Sequence, residues 1–225
     1  MEKTSVFNLI ILDESGSMSN CTEGTISGCN ETLNVARSIQ DKFKDKQNSF
    51  ISIYAFQSDS SIPSRYICKN EKVENVKNIT HEDYKPWGCT PLLDAIGSTL
   101  IDLKSVASTH EDAMGIVTII TDGYENASTQ YTWSQVRDLI SQLKELGWTF
   151  NFIGANIDVD KVSQDLNIDN RMTFKNDNKG THQMYQEVSN CLMAEACERV
   201  FEEADMSLQE KQERRKFSSK KFLKF

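Results

Sequence analysis

Four short, nearly unbroken apolar runs constrain this chain most: Val6–Leu12, Phe50–Phe56, Met114–Ile120 and Trp148–Ile153. Each has the length of a strand, and a strand that is apolar on both faces must be covered on both. Between them, apolar residues recur every third or fourth position, the spacing of an amphipathic helix. Leu33, Ala36, Ile39 and Phe43 mark one helix over 32–43, and Leu92, Ala95, Ile96, Leu100 and Leu103 mark a second that Pro91 opens. A third carries Val136, Leu139, Ile140, Leu143 and Leu146 and stops at Gly147. Val159 to Leu166 reads as a short helix, Arg171 to Phe174 as a strand, and Met184 to about Met206 as a long final helix. Residues 57–85 are polar and hold two weaker strand signals, 64–68 and 72–79. This rhythm predicts an α/β fold, a doubly wound and mostly parallel central sheet of about six strands with helices on both faces. No repeat or Pro/Gly/Ser-rich linker divides the 225 residues, so one domain over 1–206 and a tail over 207–225 are expected.

Charge and cysteine usage narrow the function classes. The net charge of −8 is unevenly spread: Lys211–Phe225 holds seven Lys/Arg against Glu213 alone, so it carries +6 and the rest of the chain −14. An acidic body repels nucleic acid and anionic lipid and welcomes a divalent cation. Only the tail, where Lys216, Lys220, Lys221 and Lys224 interleave with Phe217, Phe222, Leu223 and Phe225, offers the opposite chemistry, as a nucleic-acid or membrane grip or as a solvated end folding back on the body. No apolar run reaches the roughly 18 residues that cross a bilayer. The segment after Met1-Glu2-Lys3 is too briefly apolar before Asp13 for a secretory leader, so a cytoplasmic protein is expected. None of the six cysteines forms a Cys-x-x-Cys pair, and reduced thiols are expected throughout, a Cys21–Cys29 bridge being the alternative.

The chemistry sits where strands end. The first strong strand runs into Asp13-Glu14-Ser15-Gly16-Ser17, and the third into Thr121-Asp122-Gly123. In an open α/β sheet the functional crevice lies beyond the carboxyl ends of the strands, where the winding direction reverses. If those two strands are neighbours, Asp13 and Asp122 converge, and two converging acids call for a metal ion. Ser15 and Ser17 flank a glycine that tightens the turn, and Gly88-Cys89-Thr90-Pro91-Leu92 adds a threonine at another glycine turn. The donors are all oxygen, with few carboxylates and no adjacent His or Cys, which suits Mg²⁺ or Mn²⁺ better than zinc. Singly, each such residue does no more than cap a helix; the ordered set of three segments carries the inference.

That set, Asp13-x-Ser15-x-Ser17, then Thr90 in Gly-x-Thr-Pro-Leu, then Asp122-Gly123 after a strand, resembles the von Willebrand factor type A domain with its metal-ion-dependent adhesion site. The resemblance covers roughly residues 5 to 205. It implies a three-layer fold with one antiparallel edge strand drawn from 64–79. It also implies Ser15, Ser17 and Thr90 as ion contacts, with Asp13 and Asp122 direct or through water, and a partner protein's acidic group completing the shell. Neutral hydroxyls leave the ion much of its charge, so an external carboxylate is drawn to it strongly. Glu14 adds a third acid to the turn, the polar stretch Asn20–Cys29 suggests an unusual rim, and Trp87, Tyr124 and Glu125 are placed around the site as well.

Catalysis is the competing class. A Mg²⁺-dependent phosphoryl-transfer enzyme with Asp13 as nucleophile would want an acid where Ser15 stands. There is no phosphate-cradling Walker loop, and Glu14-Ser15-Gly16 is not a Gly-x-Ser-x-Gly elbow. His81, His110 and His182 lie in polar contexts away from the motif. A non-enzymatic interaction module is the expectation.

Overall fold

The structure, a computed structural model, describes residues 3–223. Met1 and Glu2 before the first strand, and Lys224 and Phe225 of the basic segment, lie outside the described residues. The apolar runs become β1 (Thr4–Asp13), β2 (Gln47–Phe56), β4 (Ala113–Thr121) and β5 (Thr149–Gly154), joined by β3 (Arg65–Lys72) and β6 (Asn170–Thr173). The six form one sheet in the order β3-β2-β1-β4-β5-β6, parallel throughout except for the antiparallel edge strand β3. This is the doubly wound α/β architecture expected. Helices α1 (Thr22–Lys42) and α5 (Asn178–Glu202) cover one face, while α2 (Leu92–Ala107), α3 (Trp133–Glu145) and α4 (Val159–Asp165) cover the other. Side chains alternate across each strand, so Val6, Ile10 and Leu12 enter one core and Phe7, Leu9 and Ile11 the other.

Three expectations change. The second weak strand signal, 72–79, is largely irregular. Val73, Val76 and Ile79 are buried there, but α1 satisfies their backbone: Asn30 exchanges two hydrogen bonds with Ile79, and Arg37 donates to the carbonyls of Val73 and Val76. The stretch Asn20–Cys29, read as rim, is a 3-10 turn over Gly16–Cys21 running into the first turns of α1. Its glycines let α5 approach closely, since a Cβ on Gly28 would stand 2.1 Å from the Tyr185 ring. Cys21 and Cys29 are buried free thiols, and Cys29 pairs with the Tyr185 hydroxyl at 3.0 Å. The final helix starts at Asn178 and not Met184, because Asp177 caps it by accepting from the Gly180 N–H.

The basic segment forms helix α6 (Leu208–Ser218), opened by a Ser207–Glu210 capping box, and then a 3-10 turn over Ser219–Lys221. It lies against the end of the sheet where the parallel strands begin. Arg215 is buried between Asp112, just before β4, and Glu203. Lys211 adds a second contact to Asp112, Asn170 at the start of β6 bonds the backbone of Ser219 and Phe222, and Phe222 and Leu223 enter the core. A cleft of about 550 Å³ between α5 and α6 is lined by none of the residues singled out for ion binding.

Candidate metal centre

The switch in winding direction falls between β1 and β4, which are direct neighbours with Leu12 opposite Ile120. Asp13 and Asp122 therefore emerge side by side at the carboxyl end of the sheet, as the crevice rule requires. Asp13 is fully buried: one carboxylate oxygen accepts the Ser15 N–H at 2.7 Å and the other the Thr121 hydroxyl at 2.6 Å. Ser15 and Ser17 lie hydroxyl to hydroxyl at 3.2 Å, and Ser17 donates to Asp122 at 2.5 Å. Thr90 arrives from its own loop: a Cβ on Gly123 would stand 3.0 Å from the Thr90 hydroxyl and 3.9 Å from that of Ser17. All five oxygen-bearing residues are thus brought together. Asp13, Ser15, Thr90 and Asp122 are buried, and Ser17 is the exposed member that opens the cluster to solvent.

The electrostatics are those of an acid pair lacking a counter-charge. Burial pushes the Asp13 carboxyl up to about 6, against the hydrogen bonds from Thr121 and Ser15 that pull it down, with the charge of Asp122 adding to the rise. Burial also raises Asp122, opposed by the Ser17 hydrogen bond. No basic side chain takes part at either carboxyl among the described residues. Keeping Asp13 ionised at neutral pH then costs about 3 kcal/mol, which a bound cation would offset. Nor do three His, Cys, Asp or Glu side chains gather into a metal cage anywhere among the described residues. Two carboxylates and three hydroxyls form a hard, oxygen-only donor set of low charge, which fits Mg²⁺ or Mn²⁺.

Around this cluster the structure sorts the rim residues. Trp87 and Tyr124 are exposed, at 65% and 54%, and the Tyr124 hydroxyl accepts the Asp158 N–H. Glu14 is not on the rim. Its side chain is fully buried, forks onto the Arg65 guanidinium at 2.6 and 3.0 Å and accepts the Lys85 N–H. Period-two alternation continues past the strand end, so Glu14 faces away from Asp13 and meets the edge strand. Glu125 is likewise occupied: it accepts the N–H groups of Leu93, Ala127 and Ser128 and the Ser128 hydroxyl, pinning its loop to the start of α2. The histidines stand elsewhere; His110 meets Ser5 at the opposite end of β1, His81 meets Glu23 and His182 meets Gln186.

Two asparagines missed in the sequence reading tie the loops together. Asn126 accepts the Thr90 N–H at 2.9 Å and returns its own N–H to the Thr90 carbonyl, joining the loops of Thr90 and Asp122. Asn176, from the loop after β6, donates to Asp122 at 2.5 Å and to the Ser17 carbonyl at 3.3 Å. The usable signal was the same rule applied again, that polar residues just past a strand's carboxyl end face the crevice.

No family model and no curated protein matches the chain. Solved structures do. A von Willebrand factor type A protein from Catenulispora acidiphila is 15% identical at a TM-score of 0.56, covering 86% of this chain and 43% of its own. The pilus adhesin SpaC of Lactobacillus rhamnosus GG, in its open conformation, is 12% identical at 0.62, covering 85% of this chain and 30% of its own. Proximal thread matrix protein 1 from the mussel byssus, with a zinc-occupied MIDAS motif, is 13% identical at 0.52, covering 87% and 48%. The chain spans less than half the length of each of these proteins. At such identities the likeness concerns the fold, and the chain has the von Willebrand factor type A fold.

Proposed function

We propose that the chain is a metal-dependent protein-interaction module that holds Mg²⁺ or Mn²⁺ at the carboxyl end of its sheet and, through the ion, an acidic group of a partner protein. Ser15, Ser17 and Thr90 would supply neutral oxygen ligands, with Asp13 and Asp122 beside them. The observation that carries this reading is the convergence of these five residues on one exposed hydroxyl, with two buried acids that no protein cation neutralises. When bound, the ion supplies a positive charge that three hydroxyls leave largely intact, and a carboxylate answers it with a short, charge-assisted contact. Trp87 and Tyr124 are exposed near the site and offer apolar area for a partner's surface.

The other readings draw less support. Phosphoryl transfer through Asp13 would need a nucleophile open to substrate, yet both oxygens of this fully buried carboxylate are hydrogen-bonded within the loop. Binding of nucleic acid or membrane by the basic segment draws on fewer cations than the sequence counts, since Lys211, Arg214 and Arg215 are held in ion pairs with the body and the exposed Lys220 and Lys221 remain. Among the described residues no helix is long and apolar enough to cross a membrane.

The test is capture from native extract on the immobilised chain, in Mg²⁺ and in chelator. Proteins held only with the ion, and not held by Thr90→Ala, would support the module. Identical retention under both conditions would overturn it.

A further inference from the structure

At the carboxyl end of the sheet two buried amides are incompletely satisfied, Gln57 just past β2 and Asn176 past β6, and of these Asn176 is the one that touches Asp122 and Ser17. Its nitrogen donates to the Asp122 oxygen that Ser17 leaves free, and to the Ser17 carbonyl. Its oxygen is buried and has no hydrogen-bond partner. Leaving a buried amide oxygen unmet costs about 1–3 kcal/mol, so such an atom calls for an explanation in what the site holds when it works. The opposite amide orientation is excluded, because it would set a carbonyl oxygen against the Asp122 carboxylate at 2.5 Å. The nitrogen is therefore fixed on Asp122, and the oxygen of the same amide is a buried acceptor without a partner.

The position adds a second argument. Asn176 belongs to none of the three segments that supply the other five residues. It comes from the loop between β6 and α5, two strands beyond β4 in the sheet, and reaches back to Asp122. That loop is anchored independently on both sides of Asn176. On one side Phe174 donates its N–H to the Gly154 carbonyl of β5, and on the other Asp177 caps α5 and Asn178 accepts the Gly24 N–H at 2.9 Å. Asn176 is thus not needed to hold its own loop in place, and its side chain is committed wholly to the site.

We propose that Asn176 is a sixth residue of the ion site. Through its NH₂ group it orients Asp122 without neutralising it, and through its oxygen it accepts from the hydration shell of the bound ion. A lysine or arginine here would cancel the charge that draws the cation. A neutral amide keeps Asp122 in place and leaves the charge available. This rests on the reading of the site as a divalent-cation centre, and the experiment separates the two.

Mn²⁺ binding is measured by the loss of the free-ion paramagnetic resonance signal during titration of wild type, Asn176→Ala, Asn176→Asp and Asn178→Ala, with unfolding temperatures recorded in chelator. Outer partners of metal ligands are typically worth ten- to a hundredfold in affinity. Asn176→Ala is expected to bind Mn²⁺ about tenfold or more weakly while remaining folded. Asn176→Asp, which places a third acid in the cluster, is expected to unfold at lower temperature in chelator and to recover more of that loss than wild type gains when Mn²⁺ is added. Asn178→Ala, which cuts a neighbouring anchor of the same loop, is expected to bind Mn²⁺ as wild type does. Wild-type affinity in Asn176→Ala, or equal weakening in Asn178→Ala, would overturn the proposal and leave the cation centre standing. Absence of Mn²⁺ binding by the wild type would overturn both.

Discussion

At the end of the sheet where the parallel strands begin, the buried acids Asp112 and Glu203 lie against Arg215, which donates to both, with Lys211 as a further partner of Asp112. At the end where the strands finish, the buried acids Asp13 and Asp122 lie against hydroxyls, backbone N–H groups and one amide. The same residue type at similar burial is thus given opposite company. Burial alone would raise Asp112, but hydrogen bonds and charge from Arg215, then Lys211 and Thr4, pull it down to about 2, whereas Asp13 is pushed up to about 6. One end closes the fold with its own cations, and at the other no protein cation takes part at either acid among the described residues. Even within the upper turn the distinction holds, since Glu14 is paired with Arg65 and its neighbour Asp13 is not.

The sharpest way to break this comparison is to remove the cation from the closed end. Arg215→Ala takes from the buried Asp112 and Glu203 the cation they share, and its cost is expected to be about 3–5 kcal/mol in urea unfolding. A loss below about 1 kcal/mol would show that the lower cluster is as open to water as an exposed pair. The variant is expected to keep its ion affinity once folded, because α6 touches none of the upper loops.

Acidity separates the two ends in solution. The stabilising contribution of Asp112, whose pKa is lowered on folding, is present above about pH 4 and is lost as pH falls towards 2. Asp13 works the other way. Its raised pKa means that in chelator the folded protein loses stability as pH rises from about 4 through 6. Urea unfolding from pH 2 to 8 is expected to show both limbs without ion, and saturating Mg²⁺ is expected to abolish only the upper one. A lower limb that responds to Mg²⁺ would assign the ion to the wrong end.

Trp87 gives the smallest effect and the cleanest control. Exposed at 65% and attached mainly through its backbone N–H to the Glu14 carbonyl, it contributes little to the core. Trp87→Ala is expected to change stability by less than about 0.5 kcal/mol and ion binding by less than twofold, while weakening capture of an acidic partner. Unchanged capture would remove Trp87 from the interaction surface.

What could be read from the sequence divides along physical lines. The apolar runs Val6–Leu12 and Met114–Ile120 announced buried strands, and the carboxyl-end rule then placed Asp13 and Asp122 in one crevice before any contact was known. Features that depend on what packs against them were hidden. The first turns of α1 carry Gly24 and Gly28, poor helix formers in isolation, whose purpose shows only when α5 lies across them. Helix α6 escaped because the side chain it buries is Arg215 and not an apolar residue, so its sequence reads as solvated charge. Glu14 and Glu125 looked like rim acids because sequence cannot show that an edge strand and the start of α2 already occupy them. The contact of Asn176 with Asp122, 54 positions away, was hidden for the same reason, although its place past the end of β6 pointed to the crevice.

The central claim is that the charge at the carboxyl end of the sheet is left uncompensated for a divalent cation. Thermal unfolding of wild type and Asp13→Asn at pH 7, each in chelator and in saturating Mg²⁺, tests it most directly. In chelator the variant is expected to unfold at a higher temperature than wild type, because its buried group carries no charge. Mg²⁺ at about 100 times its dissociation constant is expected to stabilise wild type by about 2.7 kcal/mol and to leave Asp13→Asn where it was. A wild type indifferent to the ion, or a variant less stable than wild type in chelator, would contradict the account.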